Sequence, residues 1–219
     1  MAEINLYHGD CLEAMKQMPD NAYDLAIVDP PYGINADLKN SQDKKQSRKS
    51  ASKSNDYGSK KWDDHIPQKE YFLQLLRVSK NQIIWGVNYY PFGILSGGRI
   101  YWDKCVTMPT YSDGEIAYCS LINSIKSVKI AWHGMIQHDM KNKEQRIHPT
   151  QKPVKLYKWL LKNYAKEGDK ILDTHGGSMS IAIACHDLNF DLDLWELDED
   201  YYNAGVKRYN DHIKQLNLF

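Results

Sequence analysis

The sequence predicts an α/β protein with a mostly parallel sheet, and three observations carry that prediction. Near the start, an extended run, a capped helix and an apolar extended run follow one another, the order of a βαβ unit. The same order returns between Lys170 and Glu196. Between these units, three extended runs follow one another without helices, which predicts an antiparallel edge to the sheet. At 219 residues the chain is long enough for one good core.

Each element has a local cause. Ile4 to His8 reads as a short strand. Asp10, with Glu13 three residues on, forms a capping-box pattern that opens a helix over Leu12, Met15 and Met18. Pro19-Asp20-Asn21 turns the chain into the strand Leu25 to Val28. That strand stops at Asp29-Pro30-Pro31-Tyr32, because the prolines remove ladder donors. Residues 34–61 hold eight Lys or Arg against three Asp and almost nothing apolar. Such a segment buries too little to order itself and reads as a long mobile loop. Tyr71, Phe72, Leu75, Leu76 and Val78 give a helical face, and Gln82 to Val87 a strand leading into Asn88-Tyr89-Tyr90-Pro91. Further strands are predicted at 100–102, 115–119 and 128–132. Pro153 suits the first turn of a helix carrying Val154, Tyr157, Leu160, Leu161 and Tyr164, closed by Gly168-Asp169. Lys170 to Asp173 is a strand, and Gly176-Gly177-Ser178 turns tightly into a helix over 181–186. Leu192 to Trp195 is the next strand, ending at Glu196. Tyr202, Val206, Tyr209, Ile213 and Leu216 line one stripe of a closing helix.

Composition narrows the function classes. Net charge is zero, so a phosphate-bearing partner must be held by a local patch. Cys11, Cys105, Cys119 and Cys185 show no CxxC spacing, which points away from a zinc ribbon or a disulfide framework and toward a reducing cytoplasm. The opening residues carry no basic and apolar leader pattern, and no run of 18 apolar residues predicts a membrane span. His8, His65, His133 and His138 are scattered, so no metal site is expected.

Two corners carry chemistry. At the first, Asp29 and Tyr32 stand at a strand's carboxyl end, the edge where open α/β sheets bind ligands. A carboxylate beside a flat ring and backbone carbonyls suits gripping an exocyclic amine on a flat base. At the second, a strand ends at Asp173, glycines turn, a helix begins, and the next strand ends at Glu196. That is the layout of a nucleoside-binding βαβ unit, in which the distal acid accepts ribose hydroxyls. The usual GxGxxG is absent, and a plain α/β crossover explains the glycines equally well.

Three motifs in order resemble one family: Asp29-Pro30-Pro31-Tyr32, then His148-Pro149-Thr150-Gln151-Lys152-Pro153, then Ile171-Leu172-Asp173-Thr174-His175-Gly176-Gly177-Ser178. This pattern resembles the β-class DNA amino-methyltransferases, in which the catalytic half precedes the S-adenosylmethionine half. The resemblance runs from Gly9-Asp10-Cys11 to the last helix. It implies a single doubly wound, Rossmann-like methyltransferase domain over residues 1–219, with seven strands, one of them antiparallel. It implies S-adenosylmethionine as cofactor and double-stranded DNA as partner. A homodimer and a cognate restriction nuclease are partners the family allows.

Carried over by position, Asp173, His175, Gly176, Gly177 and Ser178 line the methionine end of the cofactor, and Glu196 holds its ribose. Asp10 and Cys11 border its adenine, and Thr150, Lys152 and Pro153 flank its amino-acid end. Asp29 to Tyr32 form the catalytic motif, with Asp29 also beside the cofactor. In the cofactor loop the family commonly has Asp-Pro-Phe and a later Gly; here Thr174-His175 replace Pro-Phe, and Met179 stands at the Gly position. Target recognition falls to the 34–61 loop and a region within 88–145, with Lys44, Lys45, Arg48, Lys49, Lys53, Asn88 and Tyr89 as DNA contacts.

The implied reaction is methylation of the N6 amine of an adenine. Asp29 and the Pro30 carbonyl each accept one N–H, and Tyr32 stacks on a base flipped out of the duplex. Asp at the head of the motif favours adenine, whereas Ser is commoner in cytosine-N4 enzymes. Cytosine-N4 methylation, methylation of an RNA or protein amide nitrogen, and a degenerate fold that only binds DNA are the competing readings.

Overall fold

The computed structural model describes residues 2–34, 63–93, 95–107, 112–133 and 136–216. Its main sheet has eight strands in the order β1-β10-β9-β2-β3-β5-β4-β6. These are β1 (Ile4–His8), β2 (Tyr23–Val28), β3 (Ser79–Trp85), β4 (Gly98–Asp103), β5 (Gly114–Cys119), β6 (Ile125–Lys129), β9 (Lys170–Asp173) and β10 (Asp191–Glu196). A separate hairpin pairs β7 (Trp132–His133) with β8 (Ile136–Gln137). The doubly wound α/β fold expected from the sequence is present, with eight strands in the main sheet among the described residues where seven were expected.

Register locates the reversal in the chain's winding. β1, β10, β9, β2 and β3 all pair in parallel. β5 pairs antiparallel with both β3 and β4, while β6 lies parallel to β4. The antiparallel strand therefore sits inside the sheet, and the expected antiparallel edge is corrected: the edge strand β6 runs with the majority. From β2 the chain winds outward to β3, and from β9 it winds the other way to β10. Their adjacent carboxyl ends form a topological switch point, and they carry Asp29 and Asp173.

Alternation along the strands divides the core into two layers. Leu25 and Ile27 of β2 face the cluster containing Leu156 and Leu160 of α3 (Val154–Tyr164), Ile181 of α4 (Ser180–Leu188) and Tyr209 of α5 (Glu199–Leu216). Ala26 and Val28 face Met15 of α1 (Cys11–Gln17) and Tyr71, Phe72 and Leu75 of α2 (Lys69–Val78). Asp10 caps α1 as expected, its Oδ1 accepting from the Leu12 and Glu13 amides at 2.8 and 3.4 Å.

Some boundaries differ from expectation. β3 stops at Trp85 because Gly86 turns left-handed at φ 73° into a 3-10 turn, Val87–Tyr89. The strand expected over 128–132 lies earlier, and Trp132 joins the hairpin, its indole donating to the Gln151 carbonyl at 2.6 Å. Pro153 precedes α3, whose first amide, on Val154, is capped by the Glu144 carboxylate at 3.0 Å. α3 ends at Ala165, ahead of the Gly168 turn. Residues 88–145, expected to recognise the target, include three strands of the main sheet and the hairpin.

Gly86 also fixes a close approach: a β-carbon there would lie 2.1 Å from a Tyr32 ring carbon, well inside contact distance. Gly86→Ala combines that overlap with a left-handed backbone. It is expected to lower unfolding free energy by about 1–3 kcal/mol, measured by chemical denaturation beside wild type.

Candidate active site

Asp29 leaves β2 into a loop clamped from below. The Asp63 carboxylate, itself buried, accepts from the Tyr32 and Gly33 amides at 2.6 and 3.0 Å. Tyr90 donates its hydroxyl to the Pro30 carbonyl at 2.9 Å. Both contacts fix Asp29-Pro30-Pro31-Tyr32 at the carboxyl edge of the sheet. The Pro30 carbonyl thus already carries one hydrogen bond, and a substrate N–H would have to use its second lone pair.

Around Asp29 four side chains close into a network. The Tyr32 hydroxyl donates to Asp29 Oδ1 at 2.5 Å. Lys152 Nζ pairs with Asp29 Oδ2, lies 2.9 Å from Glu115 Oε2 and donates to the Tyr32 hydroxyl at 3.1 Å. Glu115 Oε1 meets Lys104 Nζ at 2.6 Å. Lys152 is 2% exposed at its side chain and lies over the Trp85 ring at 5.4 Å. Burial raises the Asp29 carboxyl above the usual range, with Lys152 pulling it down and Glu115 pushing it up. Against its own burial, Glu115 is held below the usual range by Lys152 and Lys104. The sequence placed Lys152 beside the amino-acid end of a cofactor; the structure places its ammonium on Asp29. Trp102 is buried in the core, whereas Lys104, two residues on, reaches this network.

Tyr32 is already covered. Its ring stacks on Tyr89 at 4.9 Å and 14°, meets Tyr90 edge-on, and lies against Gly86. Tyr89 and Asn88 are exposed on the 3-10 turn. A base stacking on the outer face of Tyr32 would take the place of Tyr89. Lys44, Lys45, Arg48, Lys49 and Lys53 lie outside the described residues, as does the 34–61 loop beyond Ile34.

The second corner is acidic. Glu196 accepts the Gly177 amide at 2.6 Å and the Asp198 amide at 2.8 Å, one on each oxygen. Asp173 is buried and accepts the His175 amide at 3.0 Å. Burial, then the charges of Asp10, Asp173 and Glu196, push the Cys11 thiol up to about 12. Among the described residues, Asp10, Asp173 and Glu196 form no salt bridge. An acidic, cation-poor corner of this kind suits a cationic ligand such as the sulfonium and ammonium of S-adenosylmethionine. Gly176 owes its size to packing as much as to a ligand, because a β-carbon there would overlap the Leu194 side chain.

The two departures in the cofactor loop have physical accounts. Thr174 Oγ1 shares hydrogen bonds with Tyr71 at 2.6 Å and with His175 Nδ1 at 2.9 Å. His175 packs edge-on against Tyr71, the place an aromatic ring would take, and burial depresses it to about 4. Met179 adopts the left-handed conformation at φ 55°, which explains why glycine suits the position. Its side chain is buried and packs against Gly205 of α5, where a β-carbon would crowd its Cγ.

Thr150 and Ser178, expected at the cofactor, are engaged within the protein. Thr150 pairs with His148 Nδ1 at 3.1 Å, and the Ser178 hydroxyl with Ser180 at 3.0 Å. Sequence reasoning missed Arg208, which donates to the Ser178 carbonyl at 2.7 Å and pairs with Glu144 at 2.8 Å. Asp63, Glu115 and Lys104 were also missed, since each stands outside the three motifs.

Burial pushes Asp173 up to about 8. Its unfolded value is near 3.9, so its contribution is fully present below that pH and is lost as pH rises to 8. His175, depressed, works oppositely between about 6.5 and 4. Between pH 6.5 and 8 the His175 contribution no longer changes, and the Asp173 contribution is expected to fall with a slope of up to about 1.4 kcal/mol per pH unit. Asp173→Asn should flatten that slope in denaturation curves taken across the range.

Residues 123–207 match the family described as DNA methylase, of N6/N4 methyltransferase type. The Type II methyltransferase M2.MboI of Moraxella bovis is 24% identical over 95% of this chain and 88% of its own length. M.HpaI of Haemophilus parainfluenzae, also a Type II methyltransferase, is 23% identical over 91% and 72%. Among solved structures, a complex of M1.HpyAVI with SAM superimposes with a TM-score of 0.57 at 20% identity, covering 94% of this chain and 99% of that one. The cytosine-N4-specific PvuII DNA methyltransferase gives 0.61 at 14% identity, covering 99% and 92%. The structural likenesses establish the fold. The family match and the two relatives make the chain similar to DNA methyltransferases of the N6/N4 type. Among the described residues, no helix is long and apolar enough to cross a membrane.

Proposed function

We propose that this protein transfers the methyl group of S-adenosylmethionine to the N6 amine of an adenine flipped out of duplex DNA. The observation that carries the reading is Asp29, held by Lys152 and Tyr32 at the switch point, one strand from the acidic Asp173–Glu196 corner. Bound in that corner, the cofactor supplies an electrophilic methyl on a sulfonium. Asp29 accepts one N–H of the amine, which turns the nitrogen lone pair toward the methyl. Tyr89 yields its place on Tyr32 to the base, a stacking contact typically worth about 1–3 kcal/mol. Asp29 then receives the proton released by the methylated amine. The 34–61 segment and the 88–145 region supply phosphate and sequence contacts, with Asn88 beside the flipped base. The Type II relatives suggest a modification role beside a cognate nuclease.

Adenine is favoured by Asp at the head of the catalytic motif. Cytosine-N4 transfer is the second reading, favoured by the likeness to a cytosine-N4-specific enzyme. The test is transfer of labelled methyl to unmethylated duplex DNA of mixed sequence, followed by identification of the product nucleoside. N6-methyladenine is expected. N4-methylcytosine would keep the mechanism and overturn the base. Binding of cofactor and DNA without transfer would support a binding module instead.

A further inference from the structure

We infer that Glu115 is a positioning residue of the transfer reaction: through Lys152 it supplies the counter-charge that lets Asp29 take up the proton of the methylated amine. The inference rests on the role of Asp29 proposed above. Glu115 lies in none of the three motifs. It reaches the pocket because β5 runs against its neighbours, so its first residues lie at the carboxyl edge of β3. The backbone confirms the join, the Gly86 amide donating to the Ile116 carbonyl at 3.0 Å.

The geometry assigns the three donors of the Lys152 ammonium to Asp29, Glu115 and the Tyr32 hydroxyl. Two carboxylates thus share one buried cation, and Lys104 on the far oxygen of Glu115 brings the group to zero net charge. In the reaction the amine nitrogen bonds to the methyl carbon, and the carbon–sulfur pair leaves with sulfur. The nitrogen becomes cationic, and its proton passes to an Asp29 oxygen. Asp29 is then neutral, and only Glu115 still balances Lys152. A buried ammonium without that partner would oppose the proton transfer.

Charge at Asp29 also responds to Asp173 from β9, and the hydroxyls of Tyr71, Tyr90 and Tyr157 face it from α2, the 3-10 turn and α3. Burial keeps these tyrosines and Tyr32 protonated across the working range. Asp173 is mostly uncharged below about 8. Below that pH, Lys152 and Glu115 are the charged neighbours that act on Asp29 beside its burial, and Lys104 acts through Glu115.

The test is the pH profile of kcat, with KM for cofactor and DNA, between pH 4.5 and 7.5 in wild type, Glu115→Gln, Lys104→Gln and Asp29→Ala. Glu115→Gln removes a negative neighbour and leaves Lys152 to Asp29 alone, so Asp29 becomes a weaker base. The acid limb is expected to move down by about one unit and the plateau kcat to fall about tenfold, with KM values unchanged. Lys104→Gln removes a cation and moves the limb upward. An unmoved limb in Glu115→Gln, or a raised KM with kcat retained, overturns the inference. If Glu115→Gln does not fold, Lys104→Gln decides, and an unmoved or lowered limb there is equally fatal. Inactive wild type would defeat the parent reading. Active wild type, dead Asp29→Ala and an unshifted Glu115→Gln would defeat this inference alone.

Discussion

Asp29→Ala is expected to lower kcat for methyl transfer by at least about 10²–10³-fold, the usual cost of removing one preorganised electrostatic group. The cofactor should still bind, because Glu196, Asp173 and the glycine turn lie on other strands. Asp29→Asn should be nearly as inactive, since an amide can accept an N–H but cannot take up a proton at working pH. Melting should stay within a few degrees of wild type in both variants, because Glu115 still faces Lys152. Burial holds the Asp29 carboxyl above its ordinary range, so its ionised form is a cost the fold carries for function. Retention of transfer in Asp29→Ala would remove the proposed chemistry outright.

Lys152→Met is expected to have the largest effect on stability. The ammonium is almost fully buried between two carboxylates, and its loss leaves both without their shared cation. Removing one partner of a buried ion pair typically costs about 3–5 kcal/mol. For a chain of this size that corresponds to a fall in Tm of roughly 6–20 °C. In the variant both acids are pushed to higher folded-state values than in the unfolded chain. The penalty is therefore greatest at neutral and alkaline pH and is relieved on acidification, as the carboxyls take up protons. Thermal melts at pH 5 and pH 8 check this: an equal loss at both would show that Lys152 acts through packing alone.

The legible parts of this protein are those whose causes are local. Apolar runs ending in Asp29, Asp173 and Glu196 named three strands and the edge that gathers them. Asp10 announced a helix that it does cap. What stayed hidden depends on pairing between distant segments. Nothing near Glu115 distinguishes it from a solvent-facing acid on a strand, and only the reversed direction of β5 brings it to Lys152. Lys152 belongs to a legible motif, but its partner could not be read, because the residues on either side do not say which edge of the sheet the loop crosses. Met179 stood out as a departure, and its accommodation by Gly205 on α5 requires two helices to meet.

The pairing of β5 with neighbours on both sides makes the pocket sensitive to length. Ala117 opposes both Trp85 and Ile100 across the two ladders. Strand side chains alternate between faces, so a slip of one position would carry Glu115 away from Lys152 and present Ile116 in its stead. A single-residue insertion or deletion between Glu115 and Ala117, with Ala117 held in register, would therefore move the carboxylate away from Lys152.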